Sequence, residues 1–290
     1  LGPWGHGLVN ALVGVGMLVV IPLGLRLIEG PGRRGWVWLA CAIPAAGSVW
    51  LPRGWPAVLL ALPYLLVTGA LLIGVPARLT AGGRPSPRTV AVATALAAPF
   101  VASTSLLAER AGYRLFGFDL DVLTLTVAHF HYAGFAAALI AGLVCGLPAG
   151  GRPGALAALS VPAGTAVVFV GYFVGDWLEL VGAVVLTGGM WLVGWLTWRQ
   201  ARPLGAERMT RLLLAASALV LAATMVLALD WALGRVAGLP HLSLAWMAAT
   251  HGLANALGFA LCGLLGWSRL VHSGAPVVTQ SEEPVGPAWS

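Results

Sequence analysis

The chain has 290 residues, of which 59% are hydrophobic and 9% charged, against roughly 25% charged in a soluble domain. That balance, with a mean hydropathy of +0.90, excludes a soluble enzyme, and no polar block is large enough to form a soluble domain. The net charge of +6 comes from 16 arginines and no lysine; they stand in short loops between apolar runs, where they signal topology and do not make a nucleic-acid surface.

A membrane-spanning helix needs about 20 apolar residues. Nine runs approach that length: 5–27, 35–51, 55–77, 89–109, 121–147, 154–175, 177–198, 207–232 and 242–270. They predict an all-α polytopic transmembrane helix bundle of about nine spans over residues 1–272, followed by a flexible cytoplasmic tail over 273–290. The run 35–51 is the shortest and contains Pro44. The first run has no basic leader and reads as a mature helix. Pro22, Pro56, Pro63, Pro99 and Pro162 fall within runs or near their starts, where neighbouring helices can satisfy the freed carbonyls. With nine crossings, Arg26, Arg33, Arg34, Arg78, Arg84, Arg88, Arg152, Arg199, Arg202, Arg208, Arg211 and Arg269 share one side. Only Arg53, Arg110, Arg114 and Arg235 take the other. The positive-inside rule then puts the N-terminus outside and the C-terminus inside, in a bacterial cytoplasmic membrane crossed many times.

The acids show the opposite bias. Glu109, Asp119, Asp121, Asp176, Glu179 and Asp230 map to the outer half. Acids contribute little to insertion, so a polar site opening toward the outer face is expected. Asp176 and Glu179 begin the seventh run as a capping box would. Glu179 lies one turn into the apolar layer, where a carboxyl keeps its proton and can donate it. Glu109 and Asp230, at helix ends beside arginines or loops, read as interfacial.

Two histidines interrupt the fifth run, in His129-Phe130-His131-Tyr132. An imidazole at that depth, about 12 Å below the outer end at 1.5 Å per residue, is costly and marks a functional site. Two residues apart, the imidazoles stand roughly 200° apart around the helix and cannot both face one ligand. Asp121 lies two turns earlier. A second signal is a near-repeat of pattern HGLxNAL: His6, Asn10 and Leu12 in the first run, and His251, Asn255 and Leu257 in the last. His and Asn four apart share a helix face, so both helices are expected to turn that face to one site; the competing reading is a hydrogen-bond pair that only holds the bundle together.

Thirteen tryptophans are many for this length. Trp4, Trp36, Trp38, Trp50, Trp55, Trp198 and Trp267 suit an interfacial belt. Trp177, Trp231 and Trp246 lie toward the acids, and Trp191 and Trp195 share one helix face, as the walls of a cavity for an apolar or cationic species would. Cys41, Cys145 and Cys262 all lie in apolar runs without metal-ligand spacing; they read as small buried hydrophobes, and no metal is expected.

The segments HFHYAGF at 129–135 and HGLxNALGF at 251–259, on about nine spans, resemble the YndJ-like bacterial membrane proteins. The resemblance implies a fold more than an activity. The richness in Ala, Gly and Arg without Lys resembles an actinobacterial protein. VAHFHY at 127–132 also resembles the haem-ligand helix of haem–copper oxidase subunit I, where opposed histidines hold two haems; this chain has no His-His pair and no HPEVY-like segment for copper. In type, it is similar to small membrane-bound terpene cyclases acting on prenylated compounds. That likeness implies an acid-initiated (type II) cyclase or isomerase of an isoprenoid, needing no cofactor, in which a carboxylic acid protonates an alkene or epoxide and aromatic rings steady the carbocation. On that expectation Glu179, Asp121, Asp176, His129, His131 and His251 are the catalytic candidates. His6, Asn10, Asn255, Tyr132, Phe135, Trp177, Trp191, Trp195, Trp231 and Trp246 are the substrate-binding ones. The partners are an apolar or prenylated small molecule and the lipid bilayer, with no nucleic acid. A haem- or metal-binding redox protein and a small-molecule transporter are the alternatives.

Overall fold

A computed structural model of the chain describes residues 1–30, 34–81, 83–147, 150–201 and 207–273. The tail expected to be flexible, from 274 on, lies outside them. Eight helices among the described residues are long and apolar enough to cross a membrane: α1 (Trp4–Glu29), α3 (Trp55–Thr80), α4 (Pro87–Arg110), α5 (Leu120–Cys145), α6 (Gly151–Val174), α7 (Asp176–Arg199), α8 (Arg208–Ala237) and α9 (Leu244–His272). Between the first two of these stands the shorter apolar helix α2 (Gly35–Ser48). At 1.5 Å per residue, α2 is about 21 Å long. No strand occurs among the described residues, and the expected all-α bundle stands.

Water cannot satisfy backbone or hydroxyl groups in the apolar layer, so they are satisfied within the helices. Thr68, Thr94, Thr104, Thr124 and Thr126 each donate to the carbonyl four residues back, at 2.8–3.0 Å. Ser86 caps α4 by accepting from the Thr89 amide at 3.1 Å. Pro44, Pro63, Pro99 and Pro162 sit inside helices.

Most helices pack against their sequence neighbours, and α5 stands in the middle, touching α1, α4, α6, α7 and α9. It is the most enclosed span, with 83% of its apolar stretch buried. Glu109, Asp119, Asp121, Asp176, Glu179 and Asp230 lie toward one end of the bundle. There Glu109 and Arg110 are buried and paired with each other. Arg110 also donates to the Ser48 and Leu51 carbonyls, at 3.0 and 3.1 Å, and Arg53 to Glu109 at 2.9 Å. Glu109 thus orients Arg110, which fastens the end of α4 to the end of α2. At the opposite end Arg78 meets Glu29 and Arg269 meets Glu207. Trp4, Trp36, Trp50 and Trp55 are exposed as a belt requires, whereas Trp38 and Trp267 are buried core residues.

Three spans depart from α-helical winding, in α5 and α9 where a motif lies and in α1 one turn beyond it. Residues 16–20 of α1, 130–136 of α5, and 248–252 and 255–261 of α9 are π-helical. These wide turns pack against one another across the bundle centre. Carbonyls at or beside them accept side-chain hydrogen bonds: Leu12 from Tyr132 at 2.6 Å, Met17 from Trp38 at 2.8 Å and Phe259 from Ser217 at 2.9 Å.

Helices α6 and α7 approach backbone to backbone, and glycines at Gly164, Gly171 and Gly182 permit it. A Cβ on Gly171 would lie 2.5 Å from the Glu179 backbone nitrogen, whereas one on Gly188 would meet nothing within 4 Å. Gly171→Val is expected to cost about 1–3 kcal/mol of stability through overpacking and Gly188→Val close to nothing, as read by thermal unfolding in detergent.

Candidate functional site

A cavity of about 690 Å³ opens between α1, α4, α5, α6, α7, α8 and α9, beneath the acidic end. Its walls are largely apolar, and a few polar groups converge on it. From α5 come His129, Thr126 and Tyr132; from α7, Glu179 and Thr187; from α9, His251 and Asn255; from α8, Arg235 and Trp231.

His129 lies nine residues into α5, about 14 Å from its start at 1.5 Å per residue, yet its ring is open to the cavity. No group among the described residues hydrogen-bonds to it. His251 faces the same space from α9, near enough for the two rings to interact electrostatically. Its Nδ1 lies 2.9 Å from the Thr224 carbonyl. A carbonyl can only accept, so Nδ1 carries the proton and Nε2 presents a lone pair. Asn255, one turn on, donates to the His251 carbonyl and accepts from the Thr224 hydroxyl, both at 2.9 Å. The HGLxNAL face of α9 is thus clamped to α8 along one edge and open to the cavity along the other.

Glu179 is buried at 9% exposure, and no hydrogen bond reaches its carboxyl among the described residues. The one cation nearby, Arg235, is taken by Asp176, with Nη2 to Oδ1 at 2.6 Å. Asp176 therefore carries the ion pair at the mouth, while Glu179 lies inside.

The remaining expected site residues stand elsewhere. His131 is fully buried on the other side of α5, with Nε2 2.9 Å from the Tyr64 hydroxyl. Its Nδ1 has no partner among the described residues and lies against the bare Cα side of Gly16, where a Cβ would come within 2.6 Å. The opposed directions of His129 and His131 are those that the spacing implies. His6 Nε2 donates to the Asp121 carboxylate at 2.8 Å, and Asn10 donates to the Val49 carbonyl at 2.9 Å; the N-terminal copy reaches the cavity only through its apolar Val9 and Leu12, and its His and Asn do not join those of the second copy there. Asp121, bonded to His6, is outside the lining as well. Phe135 is fully buried core. Trp177, Trp191, Trp195 and Trp246 are exposed on the outside of the bundle: Trp191 donates to the Ala222 carbonyl, Trp195 stacks under Arg199 and Trp246 meets Trp4 edge-on. Of the five tryptophans expected at the cavity, Trp231 alone reaches it, where it also meets His241.

The chain matches the family model described as YndJ-like protein over residues 11–259. It belongs to the YndJ-like family. The matched region of this YndJ-like chain contains both HFHYAGF and the C-terminal HGLxNALGF, and begins after His6 and Asn10. No curated protein matches the chain, and no solved structure does.

Sequence reasoning missed the rings that actually line the cavity. Phe116, Phe118, Phe169 and Tyr172 belong to its wall, and with Phe173 they form a run of edge-to-face contacts at 5.4–6.2 Å between centroids. The spacing of Phe169, Tyr172 and Phe173 at i, i+3 and i+4 was the signal. Among the described residues no three His, Cys, Asp or Glu side chains gather as a metal ion would require. The pair His129 and His251 is the set that could address a ligand from two sides. Tyr64→Phe is expected to leave both ring nitrogens of His131 unpaired and to lower stability by about 1–3 kcal/mol, measured by thermal unfolding.

Proposed function

We propose that this YndJ-like protein is a membrane-embedded, acid-initiated cyclase or isomerase of an isoprenoid or prenylated small molecule. The observation that carries this reading is the convergence of a buried, unpartnered carboxyl, two imidazoles and a run of aromatic rings on one apolar cavity. Its volume of about 690 Å³ falls within the roughly 300–1,000 Å³ of small-molecule sites.

The chemistry is a proton relay with no net redox change. Glu179 donates its proton to a terminal alkene carbon or an epoxide oxygen. The carbocation is captured by the π electrons of the next double bond, which forms a carbon–carbon bond and moves the cation along the chain. The faces of Phe169, Tyr172 and Trp231 stabilise it, and the apolar walls keep water from quenching it. The lone pair of His129 or of His251 Nε2 removes the final proton and leaves an alkene. Return of that proton to the Glu179 carboxylate closes the cycle. The asymmetry of the arginines favours an acidic end that faces the extracytoplasmic side of the bacterial membrane.

A positioned general acid contributes roughly 10²–10⁴-fold. Glu179→Gln is expected to lower turnover of a prenylated substrate by about that factor. Asp121→Asn and Asp176→Asn, which alter groups held by His6 and Arg235, are expected to lower it by less than about tenfold. Product mass spectrometry reads both, and full activity in Glu179→Gln would remove the proposal.

A second reading has one observation in its favour. His251 offers a lone pair while Nδ1 is tied to a backbone carbonyl, as metal-ligating histidines commonly are, and His129 shares the cavity. A haem held between them would give the purified protein a Soret band that His129→Ala and His251→Ala abolish.

A further inference from the structure

We infer that the cavity selects a ligand by a hydroxyl group, seated between His251 and Asn255, and discriminates against a diphosphate; the inference rests on the proposed reading that the cavity takes an isoprenoid. Three features of the site point the same way.

The first is donor and acceptor arithmetic. The proton of His251 is committed to the Thr224 carbonyl, so its other nitrogen can only accept. The Asn255 oxygen accepts from the Thr224 hydroxyl, and one of its two N–H groups donates to the His251 carbonyl. Of these two residues, the groups left with no partner among the described residues are one acceptor, His251 Nε2, and one donor, the second Asn255 N–H; the Asn255 oxygen already accepts once and keeps a second lone pair. The two residues lie one turn apart on α9. A hydroxyl donates once and accepts at its oxygen, and so satisfies both. An ether or a carbonyl can satisfy only Asn255 and leaves the imidazole unpaired. Sites built to bond a hydroxyl reject analogues that lack it for this reason.

The second feature is charge. Two acids, Asp176 at the mouth and Glu179 inside, stand against a single guanidinium, Arg235, already bonded to Asp176. Among the described residues no free guanidinium lines the cavity to receive a diphosphate.

The third is depth. His251 lies seven residues into α9 and Asn255 eleven, about 10 and 16 Å from its start, whereas Glu179 is only about 5 Å into α7. The polar head of the ligand therefore enters first. The distal end of its apolar chain rests near Glu179, and the Phe169 and Tyr172 rings lie along the way.

The test compares three probes of one chain length, farnesol, its methyl ether and farnesyl diphosphate, by equilibrium binding to the purified full chain in detergent. The wild type is expected to bind farnesol at least about tenfold more tightly than either of the others. In His251→Phe, which cannot accept, the preference over the methyl ether should vanish, whereas Asn255→Leu, which cannot donate to either oxygen, should keep it. Because the readout is a ratio within each variant, loss of overall affinity or yield does not imitate the effect. Equal binding of farnesol and its methyl ether by the wild type, or tightest binding of the diphosphate, would overturn the hydroxyl assignment and leave the cyclase reading in place. Failure of all three to bind would overturn both.

Discussion

Polar groups on an enclosed helix have no water to turn to, and that constraint organises the centre of this protein. Helix α5 is surrounded by five neighbours. Each of its imidazoles must find a partner inside the bundle or face a cavity. His131 takes the first solution, packed against Tyr64 and Gly16, and His129 takes the second. The same helix thus supplies a sealed structural contact on one side and an open chemical group on the other. Loss of regular winding accompanies both, since the π-helical turns of α1, α5 and α9 meet at this level. Such turns recur at functional sites in other proteins.

The two acidic clusters at the same end divide in a similar way. Glu109 and Arg110 form a buried pair that also holds the α2 terminus through two carbonyls. Removing one partner of such a pair leaves an uncompensated charge, so it fastens the bundle without being free to react. Asp176 is neutralised by Arg235, and Asp121 is engaged by His6. Glu179 alone combines burial, a place on the cavity wall and an unpartnered carboxyl. Its position follows from Gly171, which lets the α6 backbone approach the start of α7.

The architecture was largely legible in the sequence. Hydrophobic runs of about 20 residues have one stable solution in a bilayer, and their number and order carry over to the structure, with α2 shorter than the rest as its length and Pro44 implied. The opposition of His129 and His131 was legible too, because it depends only on helical periodicity. The partners were not. Nothing in the HGLxNAL repeat says that its first copy binds Asp121 and the Val49 carbonyl while its second clamps Thr224 and opens to the cavity; that depends on which helix stands alongside. Tryptophans were a poor guide to the wall, because a large amphipathic ring suits the membrane interface as well as a pocket. Trp177, Trp191, Trp195 and Trp246 face outward for that reason, whereas the cavity is walled by phenylalanines and Tyr172, whose spacing resembles any apolar helix face. Arg235 was read as a topology signal, and its pairing with Asp176 needed the three-dimensional arrangement.

The central claim is that His129, His251 and Glu179 share one apolar chamber that holds a small molecule. An experimental density map of the full chain in lipid nanodiscs tests it most directly. The expected result is a chamber bounded by these three side chains, with elongated density running from Asn255 toward Glu179. A collapsed interior, with the His129 ring packed onto a neighbouring helix and Glu179 turned to solvent, would contradict the account.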